Sequence, residues 1–249
     1  MFVKFYYFCV KQLSKLIGLS FSFSSDGEDV ILMKYLCRIK NGNYIDIGSN
    51  QPVKHSNTFL FYFTGWRGTC IDPLPNLKSK YRLIRGGDKF INAGVLGSKS
   101  KSQKKLNFFY YKNNRDNSTF DADRVKELSV KFGREPSSII DIPTINVADI
   151  LSSSEEFFGD IKEINLLNLD IEGFEIDILY DFFSCNVYPW AVCVEELGQT
   201  AETVKNTEIY QLMLDNGYIL GSRTFLSSIY ILKNQLSHLP SPYLNDFEI

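Results

Sequence analysis

The chain predicts an α/β fold, a mostly parallel sheet closed by an antiparallel C-terminal edge pair. Three observations carry that prediction. Short apolar runs alternate with helix-length amphipathic ones, the order from which parallel sheets with right-handed crossovers are built. Four of the apolar runs end in acids: Asp46, Asp72, Asp170, and Glu195 with Glu196. The last two strand-like runs, 217–220 and 228–232, follow one another with no helix between them.

The elements follow in order. Ser24-Ser25-Asp26-Gly27-Glu28-Asp29 supplies cap residues for a helix running to about Lys40 and stopping at Asn41-Gly42. A first strand is expected at 43–47, a helix at 55–64, a second strand at 68–72 and a helix at 76–85 ending on Gly86-Gly87. A third strand is expected over 89–95. The middle departs from alternation, with a strand at 105–111, a polar helix at 119–132 and a strand-like run at 138–145. A short helix starting at Thr144 or Asn146 should end near Leu151, and Ser152-Ser153-Ser154-Glu155-Glu156 reads as a loop. Strand four covers 164–170, a helix 174–183, strand five 190–196 and a further helix about 202–215. The basic run at 99–105, between two strand-like segments, reads as a solvated hairpin tip. These readings divide the chain into an N-terminal amphipathic segment (1–23), one domain (24–233) and a tail (234–249).

Composition narrows the classes of function. Hydrophobic content of 44% and charged content of 22% are ordinary for a soluble globule. A net charge of −2 offers nucleic acid no general attraction. Cys9, Cys37, Cys70, Cys185 and Cys193 form no C-x-x-C, and Cys70 and Cys193 fall inside expected buried strands. That pattern suits reduced thiols in a cytoplasmic protein. The first ten residues are largely apolar, but Lys4, Lys11 and Lys15 interrupt them short of the roughly 20 apolar residues a bilayer span needs. No small-residue cleavage site follows. Phe5, Phe8, Leu13, Leu16 and Ile17 line one helical face, expected to pack on the domain or on a partner in a homodimer. The alternative is peripheral contact of residues 1–20 with the inner face of the membrane.

The site is read from strand ends. Tyr44-Ile45-Asp46-Ile47-Gly48-Ser49-Asn50 is a buried strand running into an acid, a Gly and small polar residues. Gly serves where backbone turns sharply or meets a ligand closely. Gly68-Thr69-Cys70-Ile71-Asp72-Pro73 ends the next strand in a carboxylate, where doubly wound folds bind ribose hydroxyls. A dinucleotide fingerprint would need Gly at 48, 50 and 53; the chain has Gly48, Asn50 and Val53. A pyrophosphate is therefore disfavoured, and a cofactor with carboxylate and ammonium in place of phosphates, S-adenosylmethionine, fits the looser polar turn. Asp170-Ile171-Glu172-Gly173-Phe174-Glu175 adds two acids on one side of an extended segment and a third at a helix start. Such a pair can hold a hydroxyl, act as a base or bind a hard cation. Glu195 and Glu196 are candidates to join Asp170 on a metal.

Together these segments, with Ser25-Asp26-Gly27-Glu28-Asp29, His55-Ser56-Asn57-Thr58 and Gly65-Trp66-Arg67-Gly68, resemble an FkbM-type S-adenosylmethionine-dependent methyltransferase over about residues 24–233. The resemblance implies a Rossmann-like class I methyltransferase fold and methyl transfer to an oxygen. Acceptors in the family are often sugars of bacterial surface polysaccharides, or natural products. By position, Asp46, Gly48, Ser49 and Asn50 would surround the methionine part of the cofactor, Asp72 would hold the ribose, and Asn92 would lie near the adenine. Asp170 and Glu172 would face the methyl, with Asp170 or Glu172 the first candidate base and His55 the second. The chain departs from the family in having Gln51-Pro52 after Asn50, where a Gly is common, and Asp72 where Glu is common. The irregular stretches 112–138 and 198–216 are expected to build the acceptor pocket. The competing readings are a nucleotide-dependent oxidoreductase, a degenerate scaffold in glycan assembly and a nucleic-acid methyltransferase.

Overall fold

The structure is a computed structural model that describes residues 21–98, 104–113, 117–159, 163–171 and 173–238. Residues 1–20 of the N-terminal segment read as an amphipathic helix, residues 99–103 of the basic run, Glu172 and the tail from residue 239 lie outside the described residues. Among those described, no helix is long and apolar enough to cross a membrane.

The main sheet has seven strands in the order β3-β2-β1-β7-β8-β10-β9. They are β1 (Asn43–Ile47), β2 (Arg67–Ile71), β3 (Lys89–Ile91), β7 (Leu166–Leu169), β8 (Ala191–Glu195), β9 (Tyr218–Arg223) and β10 (Ser227–Leu232). All pairings from β3 to β8 are parallel, and β10 runs antiparallel to both β8 and β9. This is the predicted class, with its reversed strand one place in from the edge.

Alternation along the strands explains the layers. Ile45, Ile47, Ile71, Leu167, Leu169, Val192 and Val194 face one apolar cluster. Their neighbours Tyr44, Cys70, Leu166, Ala191 and Cys193 face another. A strand covered on both sides is mostly apolar, and the polar exceptions here, Asp46, Thr69 and Asn168, are hydrogen-bonded inside. Helices α5 (Val147–Phe158), α6 (Glu175–Ser184) and α7 (Glu208–Asp215) bring Ile150, Phe182 and Met213 to the first cluster. Helices α1 (Glu28–Leu36), α2 (Phe59–Thr64) and α3 (Leu77–Ile84) bring Leu32, Phe61, Leu77 and Tyr81 to the second, and α4 (Ala122–Phe132) is the polar helix expected in the middle of the chain. Cys70 and Cys193 are buried free thiols pushed up in pKa by burial, so they pack as small hydrophobes.

Three expectations are corrected. The strand expected over 89–95 is two. β3 ends at Ile91, and β4 (Gly94–Val95) joins a separate three-stranded sheet ordered β4-β6-β5, with β5 (Lys105–Tyr110) and β6 (Ser138–Ile145). β6 lies between β4 and β5, so those two strands form no hairpin. The break falls at Asn92, whose side-chain amide donates to the carbonyls of Asp72 and Leu74 and draws the chain off the sheet. Next, α5 continues through the triple serine expected as a loop. Asn146 and Asp149 form a capping box at its start. Ser154 donates to the Ile150 carbonyl and meets Thr69 of β2 at 2.7 Å, so the serine is satisfied inside the helix. Finally, α2 begins at Phe59 rather than 55. His55 has a left-handed φ of 57°, and the Ser56 hydroxyl accepts from the Phe59 amide.

Candidate active site

The carboxyl ends of β1, β2, β7 and β8 converge on a cavity of about 360 Å³, within the range of small-molecule sites. It opens where the sheet order reverses between β1 and its two neighbours, the position that binds ligands in such sheets.

The turn after β1 forms the floor. The amides of Gly48 and Ser49 both donate to the Ile71 carbonyl, at 2.9 and 3.1 Å. Gly48 has φ 82°, and a Cβ there would lie 1.8 Å from the Asp170 carbonyl oxygen, so no other residue fits. Asn50 follows in the left-handed region with φ 44°, a conformation Asn tolerates. That geometry aims the Asn50 amide at Asp72 Oδ2, 2.7 Å away, while the Leu74 amide reaches Oδ1 at 2.8 Å. Asp72 is thus held by two backbone donors at the cavity edge. Burial raises its pKa to about 6 against the pull of those two amides.

Other predicted residues sit differently. Asp46 is buried and does not line the cavity. It shares the strand face of Tyr44, accepts from Thr58 Oγ1, and accepts from Asn168 Nδ2 at 2.8 Å across the β1–β7 register. Burial raises its pKa, with Arg85 opposing. Asn92 braces the segment carrying Asp72, and the wall beyond it is made by Ala93, Gly94 and Val95. Ser49 is buried behind the floor, and its carbonyl accepts from Tyr81 Oη at 3.1 Å. His55 is exposed at the rim with Nδ1 2.9 Å from Ser25 Oγ.

Asp170 and Glu195 meet on the opposite wall. β1, β7 and β8 are in register at Ile47, Leu169 and Val194. One residue further on, Gly48, Asp170 and Glu195 come side by side. Asp170 is reachable by water through the cavity mouth yet surrounded by protein atoms. Its carboxyl is raised well above the carboxylate range by burial, then by the charge of Glu195 and a hydrogen bond with it. The two carboxyls therefore titrate as a pair, with the first proton lost disfavouring loss of the second. Glu175 opens α6 as expected, and its carboxylate accepts from the Gly173 amide at 2.8 Å and the Ile171 amide at 3.3 Å, shaping the loop after Asp170. Glu196 turns away to Thr207 and Tyr230. Asp170, Glu195 and Glu196 thus do not converge, and among the described residues no three acids, histidines or cysteines form a metal-binding group.

A buried network stands behind the floor. Arg85 and Asp88 pair at 2.7 Å with both side chains fully buried. Arg85 also donates to Tyr44 Oη and Thr58 Oγ1, which links the pair to Asp46. Asp88 accepts from Tyr44 Oη and from the Gly68 amide. In the sequence, the only hint of this network is an opposite-charge pair three residues apart. Phe108 and Phe120, with ring centroids 4.8 Å apart, close the apolar side together with Leu74 and Val95. The cavity thus combines an apolar side, a carboxylate edge at Asp72 and an acid pair at Asp170 and Glu195.

Sheet order, switch-point cavity and strand-end acids define a Rossmann-like ligand-binding domain of the methyltransferase type. The methyltransferase FkbM domain model matches residues 46–220, well over half of the chain, and the protein belongs to that family. No curated protein sequence is significantly similar. Two solved structures align: a methyltransferase from Geobacter sulfurreducens, at 9% identity over 90% of this chain and 87% of that one with a TM-score of 0.43, and the precorrin-6y C5,15-methyltransferase of Geobacter metallireducens, at 11% over 82% and 84% with a TM-score of 0.34. The assignment rests on the family match and the sheet order, not on these two.

Proposed function

We propose that the protein is an S-adenosylmethionine-dependent O-methyltransferase whose acceptor is a sugar hydroxyl, in a bacterial surface polysaccharide or a related small molecule. The observation that carries the reading is the pair of backbone amides holding Asp72 at the edge of a cavity whose far wall carries a second acid pair. Asp72 is preset to accept from a ribose diol. The glycine floor leaves room for a chain to lie against the β1 turn, and Leu74, Val95, Phe108 and Phe120 offer an apolar slot for a base. The bound cofactor supplies an electrophilic methyl group on a sulfonium. Asp170 and Glu195 would give that cation an acidic wall, and this carboxyl pair is placed to take a proton from an acceptor hydroxyl held beside it. His55 at the rim is the second candidate base.

The test is calorimetric titration of the protein with S-adenosylmethionine and S-adenosylhomocysteine. Micromolar binding is expected for the native chain and none for Asp72→Ala. A well-folded native protein that binds neither would favour the scaffold reading instead.

A further inference from the structure

A second cavity, of about 530 Å³, opens beside the first. One residue, Glu195, lines both. The two also adjoin along the chain, because Phe120 and Phe174 line the first while Asp121 and Glu175 line the second. Its far side comes from the segment around α7, through Gln199, Thr207 and Glu208.

Charge decides what the second cavity can hold. Its lining residues include five acids, Asp121, Glu175, Glu195, Glu196 and Glu208, against the single cation Arg124. That guanidinium is already paired with Glu127 at 3.0 Å. An anionic ligand would sit among like charges, which costs affinity and acts as a filter. Hydroxyl and ammonium donors would meet acceptors instead, and the carboxylates of Glu175 and Glu196 are held in place by backbone amides and by Thr207.

We propose that this second cavity receives the methyl acceptor, and that the acceptor is a polyhydroxylated molecule bearing an amine or no charge rather than a carboxylate or phosphate. This deepens, and rests on, the methyl-transfer reading above.

The experiment uses three probes on the full chain: the methyl glycosides of glucosamine, glucose and glucuronic acid. Their dissociation constants are measured by ligand-observed NMR with S-adenosylhomocysteine present, whose own binding is followed by calorimetry. The glucosaminide is expected to bind at least about tenfold more tightly than the glucuronide, with the glucoside between them. Glu208→Lys should bring the two charged probes to within about threefold of each other. Gln199→Trp fills the cavity without touching the Gln199 carbonyl that accepts from Arg223. It should abolish binding of all three probes and leave S-adenosylhomocysteine within about twofold. The proposal is overturned if no probe binds, if the glucuronide binds as tightly as the glucosaminide, or if the preference survives both substitutions. Charge-selective probe binding without S-adenosylhomocysteine binding would uphold the chamber and overturn the cofactor reading alone.

Discussion

Asp72 concentrates the chemistry at the scale of the residue. Folded, it titrates near about 6, raised from 3.8 by burial. The folded chain therefore holds a proton that the unfolded chain has lost between those two values. Stability falls as pH rises through that window, by about 3 kcal/mol in total, and is level above it. Ligand binding runs the other way, because only the ionised carboxylate accepts fully from a diol. Affinity for S-adenosylhomocysteine should rise about tenfold per pH unit up to about 6 and then flatten. Calorimetry across about pH 5 to 8 checks this, with Asp72→Asn expected to show weaker binding and no inflection. A profile of the native protein flat across that range would mean that Asp72 does not face the ligand. Asp72 was legible because it ends an apolar run. The role of Asp46 in the resemblance was not visible as a buried one, since the face of a strand residue is set by the register with Asn168, not by its place at the strand end.

At the scale of elements, α2, α3 and the strands β1 and β2 are joined by the buried Arg85–Asp88 pair. Removing one charge from such a pair strands the other in the interior. Arg85→Met should cost about 3–5 kcal/mol in urea unfolding, and Arg85→Met with Asp88→Asn should recover part of that loss. A single-variant loss below about 1 kcal/mol would show that Asp88 takes up a proton or water there instead. Beyond the i,i+3 charge pair itself, the network was not readable from the sequence, because Tyr44, Ser56, Thr58 and Gly68 reach Arg85 and Asp88 only through tertiary contact. Parallel strands were legible to within a residue or two, since burial on both faces leaves mostly apolar runs at 43–47, 166–169 and 191–195, each carrying one or two polar residues. Errors gathered where a side chain redirects the backbone: Asn92 splitting one expected strand, His55 delaying a helix, and the Asn146 capping box with Ser154 carrying a helix through three serines. Glu195 was in view as a strand-end acid, but its partnership with Asp170 needed the register of three strands.

For the whole molecule, the strand-end cavity draws on residues from Ser25 to Leu226 and is lined from both sheets. No fragment of the chain contains it, so a ligand that fits it binds the folded state and gains nothing from the unfolded one. Such a ligand stabilises the fold by mass action. At a hundred times its dissociation constant, S-adenosylhomocysteine should add about 2.7 kcal/mol. A chain of this length shifts in Tm by about 2–4 °C per kcal/mol, so the expected rise is about 5–10 °C. Differential scanning fluorimetry over a ligand series reads it, and the rise should follow the logarithm of ligand concentration once the site is saturated. Asp72→Ala should melt cooperatively and show no rise. An equal rise in that variant would place the ligand away from the β1–β2 strand ends, because Asp72 is the carboxylate that the Asn50 and Leu74 amides hold at that edge.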